Sequence, residues 1–152
     1  MRRSLLLLAT MALGVLMVGS VAQAAGSPRA NCLQEAQLLT SSTLTGYNVV
    51  VGNNRRADDF TSKATAGDDV FCGRGGNDSI ATLDAGDIFI GGAGDDTVGG
   101  SCSDVGGVNC TNSGTFYGGD GRDVVYFNNG TFISGAGDDF VTYVGGTGYF
   151  EQ

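Results

Sequence analysis

Residues 64–99 read ATAGDDVFC GRGGNDSIA TLDAGDIFI GGAGDDTVG when divided every nine residues. In that frame Asp69, Asp78, Asp87 and Asp96 fall in one column, and Phe71, Ile80, Phe89 and Val98 fall in another. The row Gly91 to Gly99 fits G-G-x-G-x-D-x-U-x at every defined position, where U is a large apolar residue. Glycines at the first, second and fourth positions admit left-handed dihedrals, so six residues can turn tightly with their carbonyls converging on one point. The Asp at the sixth position adds a hard anionic oxygen, and carbonyl and carboxylate oxygens suit Ca²⁺ better than any transition metal. The remaining D-x-U-x is too short for a helix, and its alternation sends U to one face and its neighbours to the other.

Turn, strand, turn, strand makes a coil of two rows, so rows two apart lie above one another. Asp69 and Asp87 are then expected along one edge, and Asp78 and Asp96 along the opposite edge, with each cation between stacked turns. The pattern resumes in GGDGRDVVY and SGAGDDFVT, with Asp123 three full rows after Asp96 and Asp139 a slightly shortened coil after Asp123. The candidate metal-ligating set is Gly67, Asp69, Gly76, Asp78, Asp87, Gly91, Gly92, Gly94, Asp96, Gly118, Gly119, Gly121, Asp123, Gly135, Gly137 and Asp139. Two rows depart from the pattern. Arg74 takes a glycine position, and Thr82, Leu83 and Ala85 take all three glycine positions of the row of Asp87, which weakens that site.

A formal net charge of −8 repels nucleic acid and anionic lipid and attracts divalent cations. The chain has 27 glycines in 152 residues, so its apolar column works against a large backbone entropy. Each buried apolar side chain supplies roughly 1.5–3 kcal/mol, while each ordered residue costs ~1–2 kcal/mol. Without cation the repeat is therefore expected to be largely unfolded, and metal binding to be coupled to folding. No histidine is present to act as a general base, and no serine lies in a G-x-S-x-G context. The acid pairs at 68/69, 95/96 and 138/139 occupy the fifth and sixth repeat positions, where a cation explains them, and no enzyme is expected.

From the amino end, residues 1–24 carry Arg2, Arg3, an apolar run and an A-x-A site, and read as a secretory signal cleaved after Ala24. That implies a secreted, extracellular protein of a bacterial type with no membrane span once the signal is gone. Residues 25–63 read as an N-terminal cap and first degenerate strands. Within them, Asn31 and Gln34 resemble a capping box, and Leu33, Ala36 and Leu38 or Leu39 form an apolar stripe expected to cover the open end of the coil. Tyr47 to Val51 suit a first strand. In residues 55–63 Phe60 stands in the ligand column, and Asp58 and Asp59 read as a solvated turn in preference to a slipped ligand pair.

Residues 64–152 form the repeat region, interrupted by an insertion at 100–117. Ile88 and Ile90 should point outward and need cover, for which a loop closed by Cys102 and Cys110 is the candidate. The even cysteine number favours two disulfides, Cys32–Cys72 and Cys102–Cys110, over a zinc site. At the carboxyl end, Tyr149 and Phe150 either fold over the last coil or leave an open edge for an end-to-end homodimer.

Residues 64–99 and 118–142 resemble the hemolysin-type calcium-binding nonapeptide repeats of RTX toxins, serralysin-like proteases and alginate epimerases. The resemblance covers about half of the exported part and rests on GGAGDDTVG, GGDGRDVVY and SGAGDDFVT. It implies a parallel β-roll with Ca²⁺ held by Asp carboxylates and backbone carbonyls. The expected fold class is thus all-β, a parallel β-roll solenoid with a short N-terminal cap, helical or irregular. In those families catalysis or lysis belongs to other domains, and export uses a C-terminal signal, so a small free-standing calcium-binding module with a structural or interaction role is expected here. The alternative is a secreted surface- or polysaccharide-binding module, adhesive or ice-binding, using one flat face.

Overall fold

The computed structural model describes residues 26–100 and 112–142 in full, and the backbone of 149–151. The signal segment 1–24 and the Cys102–Cys110 pair lie outside the described residues.

A helix, α1 (Pro28–Thr40), is the first element of the described residues. Its start is set by Ser27, whose side chain accepts from the Ala30 N–H, and by Pro28, whose missing donor is harmless in the first turn. Ser41, in the left-handed region, ends it. Asn31 is therefore inside the helix, not its cap.

Among the described residues ten strands follow: β1 (Asn48–Val51), β2 (Asp69–Cys72), β3 (Ser79–Ile80), β4 (Ile88–Ala93), β5 (Thr97–Val98), β6 (Thr115–Asp120), β7 (Val124–Val125), β8 (Thr131–Ala136), β9 (Phe140–Val141) and β10 (Tyr149–Glu151). They make two sheets, parallel throughout, ordered β1-β2-β4-β6-β8-β10 and β3-β5-β7-β9. A short 3-10 turn, Thr61–Lys63, precedes β2.

This arrangement corrects the expectation of an all-β roll. The molecule is mixed α/β: one helix and two separate parallel sheets. The physical reason lies on the outer face of the six-stranded sheet, where Val49, Val70, Cys72, Ile88 and Ile90 form an apolar surface that water would penalise. Cys32 and Ala36, one helical turn apart, press α1 onto that surface, and the disulfide Cys32–Cys72 fixes it there. The helix is thus a face cover and not an end cap. It packs in one cluster with Ile88 and Ile90, and the loop expected to cover them lies outside the described residues. Leu38, expected in the buried stripe, is 73% exposed.

Between the sheets lies the main core. Register aligns Phe71 with Phe89, Phe116 and Phe132, and these rings meet Phe60, Ile80, Leu83, Val98 and Val125. Phe89, Phe116 and Phe132 stack at 5.0 Å between successive centroids. The apolar column of the sequence is therefore inward, as its alternation requires. From β4 to β6 and from β5 to β7 the register jumps by the same length, so the extra nine residues fall between Val98 and Thr115 and both sheets continue past them. Tyr149–Glu151 pair with β8 as a sixth strand, so the carboxyl end extends the sheet and does not fold over it.

Candidate functional site

The turns that leave the six-stranded sheet for the four-stranded one are 73–78, 91–96, 118–123 and 134–139. Their glycines are required by geometry. Gly94 and Gly121 have φ of 131° and 138°, and a Cβ on either would collide with the carbonyl oxygen of the equivalent glycine one turn above, Gly76 or Gly94. Arg74 adopts φ 78° in the same region despite its side chain. The turns consequently nest with little between them but backbone.

That nesting brings Asp78, Asp96, Asp123 and Asp139 into one file. The Asp78 N–H donates to Asp96 Oδ1 at 2.7 Å, the Asp96 N–H to Asp123 Oδ1 at 2.9 Å, and the Asp123 N–H to Asp139 Oδ1 at 2.9 Å. Asp78, Asp96 and Asp123 are essentially fully buried, and Asp139 is half-buried. One oxygen of each carboxylate is thus occupied by a backbone donor. The other is not: Asp78 Oδ2, Asp96 Oδ2 and Asp123 Oδ2 are buried without a hydrogen-bond partner. Each lies against the first residue of its own turn, Gly73, Gly91 or Gly118, and beside the carbonyl oxygen of Gly91, Gly118 or Ser134 on the next turn. A Cβ on that glycine would meet both oxygens, so they border the same small space. Ser134 Oγ, buried in the last of these turns, also has no partner.

Electrostatics follow from that packing. Burial pushes the Asp96 carboxyl up to about 7, opposed by the Asp78 N–H and reinforced by the negative charges of Asp123, Asp78 and Asp95. Burial likewise raises Asp123 to about 6, with the Asp96 N–H opposing and Asp139 and Asp95 adding. Asp78 is raised by burial too. A buried carboxylate without a partner costs several kcal/mol unless a positive charge joins it.

The opposite edge differs. The Asp69 N–H donates to Asp87 Oδ1 at 2.9 Å, so these two are brought together as the spacing suggested. Here, however, both second oxygens are occupied. Asp69 Oδ2 accepts from the Thr65 N–H at 2.7 Å and from Thr65 Oγ1, and Asp87 Oδ2 accepts from the Asp84 N–H at 3.1 Å. Burial raises the Asp87 carboxyl. Gly67 sits in the exposed turn before β2, contacting Thr65 only. One turn past Asp87 the register places Gly114, and the carboxylate column on this edge ends.

Asp58 belongs to the first file, although the nine-residue frame placed Phe60 there. Its N–H donates to Asp78 Oδ1 at 2.7 Å, and the parallel bridge Asp59–Ser79 puts Phe60 beside Ile80 in the core. The signal was present as D-x-F, the same spacing as D-x-U, two residues out of frame. Asp58 Oδ2 accepts from the Asn53 N–H at 2.5 Å, and Lys63 Nζ stands 3.9 Å from Asp58 Oδ1.

Among the described residues no three His, Cys, Asp or Glu side chains converge as a metal-ligating group. The file supplies carboxylates two at a time, with main-chain carbonyls beside them. That donor set is entirely hard oxygen, which fits Ca²⁺ and not a thiolate- or imidazole-seeking metal. Among the described residues no helix is long and apolar enough to cross a membrane. The Cys32–Cys72 disulfide is compatible with an extracellular location. Comparison with family models, curated proteins and solved structures returned no match.

Proposed function

We propose that the protein binds calcium in the extracellular space, and that Ca²⁺ held between its stacked GGxGxD turns completes the fold for a structural or interaction role. One observation carries this reading: three buried Asp oxygens in a row, each beside a carbonyl oxygen, with no donor supplied by the chain. Buried polar groups are almost always paired, so a repeated orphan on a regular spacing points to a ligand. The resemblance of the best rows to hemolysin-type repeats supports calcium in particular.

A bound Ca²⁺ supplies positive charge to carboxylates that burial otherwise disfavours. Asp78, Asp96 and Asp123 would hold it through the oxygens that lack donors, with adjacent carbonyls of Gly91, Gly118 and Ser134. At ~1 mM calcium, a site with a dissociation constant of ~10⁻⁴ M adds roughly 1.4 kcal/mol by linkage. Several such sites are enough to decide whether the turns order. Far-UV circular dichroism of the oxidised protein titrated with calcium, with magnesium as control, tests the reading. A cooperative gain of structure near millimolar calcium is expected, and a spectrum in EDTA that calcium leaves unaltered would refute it.

A second reading, binding of a glycan or similar surface, is favoured by a cleft of about 350 Å³ between α1 and the outer face of β4, β6 and β8. Leu39, Ile90, Tyr117 and Ile133 line it together with Glu35 and Asp120, an aromatic platform beside carboxylate acceptors. Retention on insoluble glycans that Tyr117→Ala abolishes would support this reading, and no retention of the native protein would exclude it.

A further inference from the structure

We infer that calcium loads one edge of the molecule only, as a file of three ions in the intervals Asp78–Asp96, Asp96–Asp123 and Asp123–Asp139. The inference rests on the calcium reading above and adds which of the acidic turns are sites. Six aspartates share the sixth repeat position, Asp69, Asp78, Asp87, Asp96, Asp123 and Asp139, and the sequence sets only Asp87 apart, by its missing glycines, while it keeps Asp69 with the rest. The structure sets Asp69 apart as well. On the edge of Asp78, Asp96 and Asp123 each second carboxylate oxygen is buried and unpaired. On the edge of Asp69 and Asp87 the same oxygen is held by a backbone N–H from its own turn, Thr65 or Asp84.

The difference follows from turn composition. The turn before Asp87 is TLDAG, and its Asp84 N–H curls back onto the carboxylate; the turn before Asp69 does the same with Thr65. These carboxylates act as turn closures of the kind Asp makes with its own backbone. In the G-G-x-G turns the glycines let the backbone pass the carboxylate without offering it a donor. A cation entering at Asp69 or Asp87 would have to displace existing hydrogen bonds, whereas at Asp78, Asp96 and Asp123 it replaces nothing.

The file is also closed at its first end. Asp58 continues the column above Asp78, yet its Oδ2 takes the Asn53 N–H and its Oδ1 has the Lys63 ammonium at 3.9 Å, so the chain provides its own cation there. At the other end, the last turn begins with Ser134, whose hydroxyl is buried and unpaired, at a position that is glycine in the rows above, and its carbonyl oxygen lies beside Asp123 Oδ2.

The test is a direct count of bound Ca²⁺ on the oxidised protein by native mass spectrometry and equilibrium dialysis, with circular dichroism verifying that each sample is folded. Three ions per chain are expected. Asp78→Asn, Asp96→Asn and Asp123→Asn should each lower the count by at least one. Asp69→Asn and Asp87→Asn should keep three while lowering the melting temperature. A wild-type count of four or more overturns the inference without any variant, as does a folded Asp69 or Asp87 variant that binds fewer than three. A wild-type chain that binds no calcium overturns the functional reading itself.

Discussion

Replacement of Asp96 by Asn should stabilise the protein without calcium and lose much of that gain in its presence. Asp96 sits at the centre of the file, fully buried, with a carboxyl pushed up to about 7 from an ordinary value of 3.8. Each unit of that rise is about 1.36 kcal/mol of preference for the neutral form. In EDTA at pH 8 the ionised carboxylate therefore withholds about 4 kcal/mol from the native state. Asn has nearly the same shape and keeps an oxygen for the Asp78 N–H, which now donates to Oδ1 at 2.7 Å. Its amide also places a donor where Oδ2 lies beside the Gly118 carbonyl. Relaxation of the buried site reduces the gain, and we expect Asp96→Asn to be more stable than the native protein by about 2–4 kcal/mol in EDTA. In millimolar calcium the variant forfeits at least one cation, so its advantage over the native protein should shrink by about 1.4 kcal/mol for each cation lost. Urea denaturation followed by circular dichroism in both media measures the two differences. Equal destabilisation in EDTA and in calcium would show that Asp96 is only a hydrogen-bond acceptor. Equal stabilisation in both would show that its charge serves no cation.

The same carboxyls set a pH dependence. The native-state values of Asp96 (about 7) and Asp123 (about 6) lie above 3.8, so between those limits the native state binds more protons than the unfolded state. In EDTA, stability is accordingly greatest near pH 4 and falls as pH rises through 7. Calcium, which needs the ionised form, should erase or invert that trend in thermal melts from pH 4 to 8. Reduction of Cys32–Cys72, or the double replacement by Ser, releases a link spanning 40 residues and should cost about 4 kcal/mol; an unchanged urea midpoint would mean that α1 docks through Cys32 and Ala36 contacts alone. Phe116→Ala removes the middle of three stacked rings and should cost about 3–5 kcal/mol. If Phe116→Leu, read on the same denaturation curve, costs as much as the Ala variant, the ring stack and not the core volume is what matters.

Particular residues show how far the sequence could be read. The apolar column of Phe71, Ile80, Phe89 and Val98 was legible because residues at fixed spacing on short strands must share a face. Asp58 was harder, since eleven residues and not nine separate it from Asp69, and only the partner strand reveals the slip. The helix was misplaced for a related reason. Its apolar residues are few, and Cys32 and Ala36 become a docking surface only against Val70, Ile88 and Ile90, which lie far along the chain.

The sequence by itself determined the period, the inward apolar column and the glycine turns, and it favoured the Cys32–Cys72 link. Each of these depends on covalent spacing or on a residue type that allows only one use. Only the tertiary structure decided that the fold is mixed α/β, that α1 covers a face, and that chemically identical aspartates divide into satisfied and unsatisfied sets. Hydrogen-bond satisfaction depends on donors delivered by neighbouring turns as well as by the residue's own turn, and no single row of nine carries that information.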